Sequence, residues 1–113
     1  MPREYLLYLE DILSSSKKIT SYVGDYSFDQ FLEDERTVDA VMRNFEIIGI
    51  AANNIPQEVK DRHTEIEWRK IYLFRNVLAH EYFGIDNKVL WGIITKNISE
   101  LAAQMEVVLN KES

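Results

Sequence analysis

The sequence lacks cysteine and is poor in the residues that make turns. Without cysteine, disulfides, thiolate zinc sites and thiol chemistry are excluded. Only four glycines and two prolines occur among 113 residues, and no stretch alternates apolar and polar side chains as a half-buried strand does. No apolar run reaches the ~18 residues of a membrane span, and the N-terminus lacks the features of a signal peptide. We therefore expect a soluble, cytoplasmic, helical protein without membrane association.

Basic residues are outnumbered, 13 against 19 acidic ones, and the formal net charge is -6. This balance excludes a protein that coats nucleic acid by charge alone, although a compact RNA site stays open. The charge is local, because six carboxylates and one arginine lie between Asp25 and Asp39. This acidic segment is either a solvated helix face or a docking surface for a basic partner, or it repels RNA from the wrong side.

Apolar residues recur every three or four positions, which predicts amphipathic helices. The first helix is expected from about Pro2 to Tyr22 and is ended by Gly24. A second begins at a capping box that Ser27 forms with Gln30.

The second helix is predicted to continue to Asn54, with a kink at Asp34, which is a second potential cap. Pro56 ends this helix, and a short turn of helix follows to about His63. The polar neighbours of His63 place it at the surface.

The next helix is expected to open at a capping box of Thr64 and Glu67, and to run through Trp68 to about Tyr82. Gly84 breaks it.

Asp86 can cap the last helix, which reaches to near Asn110. Its apolar face consists of Val89, Leu90, Ile93, Ile94, Ile98, Leu101, Met105 and Val108. Short connections between long helices make neighbours antiparallel. We therefore predict an all-α fold in a single domain over 1–113, an up-and-down bundle of four long helices plus a short helix.

The helix predicted from Trp68 to Tyr82 is apolar around nearly its whole circumference. Arg75 lies in the middle of one apolar face, where an unpaired charge costs several kcal/mol. A helix that is apolar on both flanks is buried on more than one side. In so small a bundle the second side is most simply a subunit interface, around Leu73, Val77 and His80, so we expect a homodimer.

Four polar residues of this helix suit phosphodiester chemistry, namely Arg75, Asn76, His80 and Tyr82. Arginine offers a planar fork to phosphate, histidine titrates near neutral pH, asparagine orients either, and tyrosine donates or holds a proton. Arg75 and His80 lie about 140° apart around an ideal helix. Both reach one phosphate only if the helix bends near Ala79 or a second subunit supplies half of the site. Taken alone, such a histidine is usually a helix cap and such a tyrosine part of the core.

The run 68–82, WRKIYLFRNVLAHEY, resembles the R-x4-H-x-Y signature of the HepT toxins, which belong to the HEPN superfamily of nucleotide-binding domains. Upstream, the run 37–51, TVDAVMRNFEIIGIA, is similar to the T-x2-A-V-x-R-x-L-E-I-I-G-E-A stretch of that family. Phe45 replaces its leucine, and Ile50 replaces its second glutamate. The resemblance covers essentially the whole chain.

The resemblance implies a homodimeric, metal-independent endoribonuclease of a toxin and antitoxin pair, with no cofactor. The implied partner is a small nucleotidyltransferase of the MntA type, which in that family silences the toxin by transferring AMP to the motif tyrosine. Carried over to this chain, Arg75 and His80 would be catalytic, Asn76 would orient the imidazole or bind a phosphate oxygen, and Tyr82 would be modified.

Two other interpretations stay open. The first is a catalytically silent HEPN dimer that binds a nucleotidyltransferase. The second is a structural dimer in which Arg75 pairs with Glu46 or another carboxylate of the second helix. Four basic residues are candidates to line an RNA path: Lys60, Arg62, Arg69 and Lys70.

Overall fold

The computed structural model describes residues 4–71 and 87–113. Its first helix, α1, spans Glu4–Val23. It buries a stripe of residues at helical spacing that includes Leu9, Ile12 and Ile19. The helix ends at Gly24, whose φ of 50° lies in the left-handed region that glycine adopts at little cost. The predicted extent and end of this helix are confirmed, apart from Pro2, which lies outside the described residues.

Two helices stand where the sequence predicts one kinked helix: α2, Phe28–Glu33, and α3, Glu35–Asn53. The capping box is confirmed, since the Gln30 N–H donates to Ser27 Oγ at 3.2 Å and the Ser27 N–H donates to Gln30 Oε1 at 2.9 Å. Asp34 separates the helices because its side chain accepts from the Thr37 N–H at 3.2 Å and so caps α3.

A short helix, α4, spans Gln57–Arg62 directly after Pro56, as predicted. Helix resumes at residue 68 and continues to 71, where this part of the description ends. The prediction that Thr64 caps this helix is wrong, because Thr64 lies in a turn and the helix begins four residues later. The turn forms instead because the Ile66 N–H donates to the His63 carbonyl at 3.2 Å and the Ile66 side chain is buried.

The last helix has three parts: α5, Asn87–Gly92, a π-helical segment, Ile93–Asn97, and α6, Ile98–Glu112. A π-helical turn holds more residues than an α-helical turn, and it therefore rotates the buried face. Leu90 and Ile94 are buried, whereas Val89, predicted in the apolar face, is 55% exposed. The sequence pattern missed the π-helical segment.

The described elements form a helical bundle in which α1 packs against both α3 and α6. No strand occurs in residues 4–71 and 87–113, and the predicted all-α fold class is confirmed. The largest fully buried side chains are Phe31, Phe45, Leu9, Ile12, Ile19, Ile48, Ile94, Ile98 and Met105. None of the helices in this part of the chain is long and apolar enough to cross a membrane.

Candidate functional site

The residues predicted to carry the chemistry, Arg75, Asn76, His80 and Tyr82, lie outside the described residues, as do Leu73, Val77, Gly84 and Asp86. The structure describes the elements that lead into this segment and out of it. These elements are the turn over 63–67 with the helix from residue 68, and the start of α5 at Asn87. We call the helix that begins at residue 68 the site helix.

The first turn of the site helix is anchored in the core. Trp68 and Ile71 are 9% and 3% exposed, and the indole Nε1–H of Trp68 donates to the His63 carbonyl oxygen at 3.0 Å. The backbone N–H groups of Lys70 and Ile71 both donate to the Glu67 carbonyl. The start of the site helix is therefore fixed by burial and by a hydrogen bond from its first side chain.

His63 is buried, with 4% of its surface exposed, so the prediction that it lies at the surface is wrong. Its polar sequence neighbours are misleading because the residue that covers it, Glu112, is 49 positions away. The imidazole Nε2 lies 2.6 Å from Glu112 Oε2, and Nδ1 lies 3.5 Å from Glu65 Oε1.

Glu112 is the centre of a cluster that joins three helices. Its carboxylate accepts from Arg62 Nε at 3.1 Å and Nη2 at 2.7 Å, which is a bidentate arrangement, and from the Tyr5 hydroxyl at 3.1 Å. The Glu112 side chain is only 7% exposed. Hydrogen bonds from Arg62 above all, and then from His63 and Tyr5, lower the pKa of Glu112 to about 2. The same ion pair raises the pKa of Arg62.

The ionised carboxylate of Glu112 determines which ring nitrogen of His63 carries a hydrogen. A carboxylate only accepts hydrogen bonds, so the imidazole nitrogen that faces it, Nε2, must carry a hydrogen. The other nitrogen, Nδ1, faces Glu65, so the imidazole lies between two carboxylates. His63 is thus built into the fold as a donor.

Among the four candidates for an RNA path, Lys60 is buried, which contradicts its place there, whereas the Arg62 side chain is 48% exposed and its role stays a prediction. Lys60 is 6% exposed, with its Nζ 6.0 Å from the centroid of the Trp68 ring, and burial lowers its pKa. Arg62 is bound to Glu112. Arg69 and Lys70 are exposed, and Lys70 pairs with Glu67 at 2.9 Å.

The start of the last helix is supported by aromatic rings of α2. The Trp91 ring centroid lies 5.2 Å from that of Phe28 and 5.4 Å from that of Phe31. Such tilted contacts are a favourable arrangement of aromatic pairs. The helix α5, which follows the predicted site residues in the chain, is therefore held by packing.

The acidic segment is mostly a solvated surface. Five of its carboxylates are exposed, at positions 25, 29, 33, 35 and 39. Asp34 differs because it caps α3 and accepts from the Tyr26 hydroxyl at 2.8 Å. Hydrogen bonds from Thr37 and Tyr26 lower the pKa of Asp34, and the bond to Asp34 raises the pKa of Tyr26. Tyr26, Leu32 and Asp34 border an open concavity of about 800 Å³.

The motif stretch 37–51 lies on α3 and packs against α1. Asn44 is buried and donates from Nδ2 to the Ala40 carbonyl at 2.8 Å, while its Oδ1 has no partner among the described residues. Glu46 is half-exposed and pairs with Arg43 at 3.3 Å. Ile50, at the position of the glutamate in the similar stretch, is 39% exposed.

Metal-binding geometry is absent from the part of the chain that the structure describes: no group of three or more histidine, aspartate or glutamate side chains there is arranged to hold an ion. The cluster around Glu112 is an ion-pair and hydrogen-bond cluster.

Comparison with known proteins gives a consistent result. A family model described as Ribonuclease HepT-like matches residues 12–108. A Thermococcus cleftensis protein named "Probable ribonuclease HepT" is 41% identical over 106 residues, which are 94% of this chain and 96% of that protein. A Caldanaerobacter subterraneus subsp. tengcongensis protein named "Putative RNase" is 38% identical over 105 residues, 93% of this chain and 94% of that protein. A Methanocaldococcus jannaschii protein with the same description is 32% identical over 102 residues, 90% and 84% of the two chains. No solved structure matches the chain.

Proposed function

Because the chain belongs to the HepT-like ribonuclease family, we propose that it is a metal-independent endoribonuclease. The observation that carries the proposal is the R-x4-H-x-Y spacing of Arg75, His80 and Tyr82, which falls inside the matched region 12–108. The substrate is RNA, and the protein acts as a single domain in the cytoplasm.

The chemistry follows from what RNA itself supplies. The 2′-hydroxyl attacks the adjacent phosphorus, the bond to the 5′-oxygen breaks, and the products are a 2′,3′-cyclic phosphate and a 5′-hydroxyl. This step needs a base for the 2′-hydroxyl, positive charge beside the phosphorane and an acid for the leaving oxygen. His80 serves as the base or the acid, Arg75 supplies the charge, and Asn76 orients the imidazole or binds a phosphate oxygen.

A purified-protein assay on total RNA tests the activity. Wild-type protein cleaves RNA in the presence of a chelator, and the double variant Arg75→Ala, His80→Ala does not. Cleavage that persists in the double variant is a contaminant and removes the support for the proposal. Cleavage by the wild type that a chelator abolishes contradicts the mechanism.

The protein works as a homodimer within a toxin and antitoxin pair, and its partner is an MntA-type nucleotidyltransferase that transfers AMP to Tyr82. An anionic adduct on the Tyr82 oxygen would occupy the guanidinium of Arg75 in place of RNA phosphate. Intact mass spectrometry after co-expression with the transferase is expected to show AMP adducts that are absent from Tyr82→Phe. A Tyr82→Phe variant that the partner still modifies and neutralises contradicts this regulation. Sedimentation of the purified protein as a monomer at micromolar concentration contradicts the dimer.

A binding role is the second candidate, favoured by the exposed carboxylates of the acidic segment between Asp25 and Asp39. In that case the dimer is catalytically silent and holds the nucleotidyltransferase. The same RNA assay separates the two functions, because a silent dimer binds its partner and leaves RNA intact even when it is free of AMP.

A further inference from the structure

Glu112 is a carboxylate with a side chain only 7% exposed, and the proposed chemistry has no use for it. It is the last residue of α6, and it binds Arg62 and His63 at the end of α4 and Tyr5 near the start of α1. A carboxylate with 7% exposure needs several donors to offset its lost hydration, and here it has four donor atoms. The cluster therefore holds the ends of three helices together.

The cluster is linked to the site helix through one residue. His63 binds Glu112 with its side chain, and its backbone carbonyl accepts the Trp68 indole N–H at 3.0 Å. A second link comes from Gln104 of the last helix, whose Nε2 donates to the Glu65 carbonyl at 3.2 Å. The turn over 63–67 is thus fastened to the last helix at two points, and it places the first residue of the site helix.

In the helix that the sequence predicts from Trp68 to Tyr82, a small displacement at Trp68 would grow with distance along the axis. In the helix that the sequence predicts, His80 follows Trp68 by twelve residues, or about 18 Å along the axis. By geometry, a tilt of roughly 3° at the first turn moves a residue at that distance by about 1 Å, and a misplacement of that size can lower a rate by about 10².

We infer that Glu112 is a positioning residue: through His63 and Trp68 it sets the direction of the site helix and so the placement of its catalytic groups. This inference rests on the proposed function, because it assigns catalysis to residues of that helix. Glu112 itself touches neither substrate nor reacting atoms.

The test compares Glu112→Gln with Glu106→Gln, which makes the same change in the same helix. Glu106 pairs with Lys17 at 2.8 Å, but both side chains are more than half exposed. Both variants are made in a Trp91→Phe background, where Trp68 is the only tryptophan and reports on the start of the site helix.

Glu112→Gln is expected to move the Trp68 emission to longer wavelength and to speed amide exchange at Lys70 and Ile71, at a temperature where circular dichroism shows full helix content. In the RNA assay kcat falls by on the order of 10 to 10² while KM changes by less than about twofold. Glu106→Gln leaves all four quantities at the parent values. A purely structural role of Glu112 predicts lower resistance to unfolding with unchanged Trp68 emission and unchanged kcat in the folded protein, and this result overturns the inference.

A milder variant covers the case in which Glu112→Gln does not fold. His63→Gln keeps the backbone carbonyl that Trp68 binds and a side-chain N–H that faces Glu112, so a smaller change in the same direction is expected, and no change in emission or exchange overturns the inference. If the parent protein does not cleave RNA, the proposed function fails, whereas emission and exchange still decide whether Glu112 positions the site helix.

Discussion

Replacement of Glu112 by glutamine removes the charge at the centre of the cluster and keeps the size of the side chain. Folding lowers the pKa of this carboxyl from 4.5 to about 2, and each pKa unit corresponds to about 1.4 kcal/mol, which sets an upper limit of about 3 kcal/mol. Because the Arg62 side chain is 48% exposed, water screens the ion pair. We therefore expect Glu112→Gln to lower the free energy of unfolding by about 1 to 2 kcal/mol near neutral pH.

The pH dependence of this loss has a definite sign. The pKa of Glu112 is lower in the folded than in the unfolded chain, so its stabilisation is fully present above pH 4.5 and is lost as the pH falls towards about 2. In urea unfolding, the difference between wild type and Glu112→Gln in the free energy of unfolding is expected to be constant above pH 4.5. It is expected to shrink as the pH falls below 4.5. Glu106→Gln is expected to change stability by less than about 0.5 kcal/mol. A difference between wild type and Glu112→Gln that grows on acidification contradicts the assignment of the pKa to this cluster.

Further substitutions probe the packing and one turn, each measured by urea unfolding. Ile48 is fully buried in α3 and Ile50 is 39% exposed, so Ile48→Ala is expected to lower the free energy of unfolding by about 2 to 5 kcal/mol, and Ile50→Ala by less than about 0.5 kcal/mol. Equal effects of the two contradict the described face of α3. Gly24 has a φ of 50°. Gly24→Ala is expected to lower the free energy of unfolding by about 1 kcal/mol because alanine is strained in that conformation. The added Cβ would lie 3.7 Å from the Ser21 carbonyl oxygen, which is an ordinary contact. The expected loss therefore comes from the backbone, and an unchanged free energy of unfolding contradicts the assigned backbone conformation.

The sequence predicted the ends of helices correctly where the interactions that fix them join residues close together in the chain. The capping box of Ser27, the cap at Asp34 and the stop at Gly24 each involve residues within four positions of one another, and all three are present. The cap predicted at Thr64 is absent because the turn there is determined by side chains that are buried in the core of the bundle. Ile66 and Trp68 enter the core there, and the helix begins only where their burial permits it.

Long-range contacts explain what the sequence could not reveal about the surroundings of the site. His63 and Glu112 are 49 positions apart, and no periodicity connects them. The π-helical segment Ile93–Asn97 shifts the buried face of the last helix without a proline or glycine inside it. Arg75, His80 and Tyr82, in contrast, are recognisable from their spacing, because residue types and intervals define that pattern without any knowledge of contacts.

Metal-independent cleavage by Arg75 and His80 is tested most directly on an RNA oligonucleotide with one mapped cleavage position. In excess chelator, the wild type is expected to leave a 2′,3′-cyclic phosphate at that position, and a single 2′-deoxy nucleotide there is expected to abolish the cut. His80→Ala, folded as judged by circular dichroism, is expected to lower the rate by about 10² to 10⁴, and Arg75→Ala by on the order of 10² to 10³. Cleavage of the 2′-deoxy substrate at the same position, or an undiminished rate in His80→Ala, contradicts the proposed mechanism.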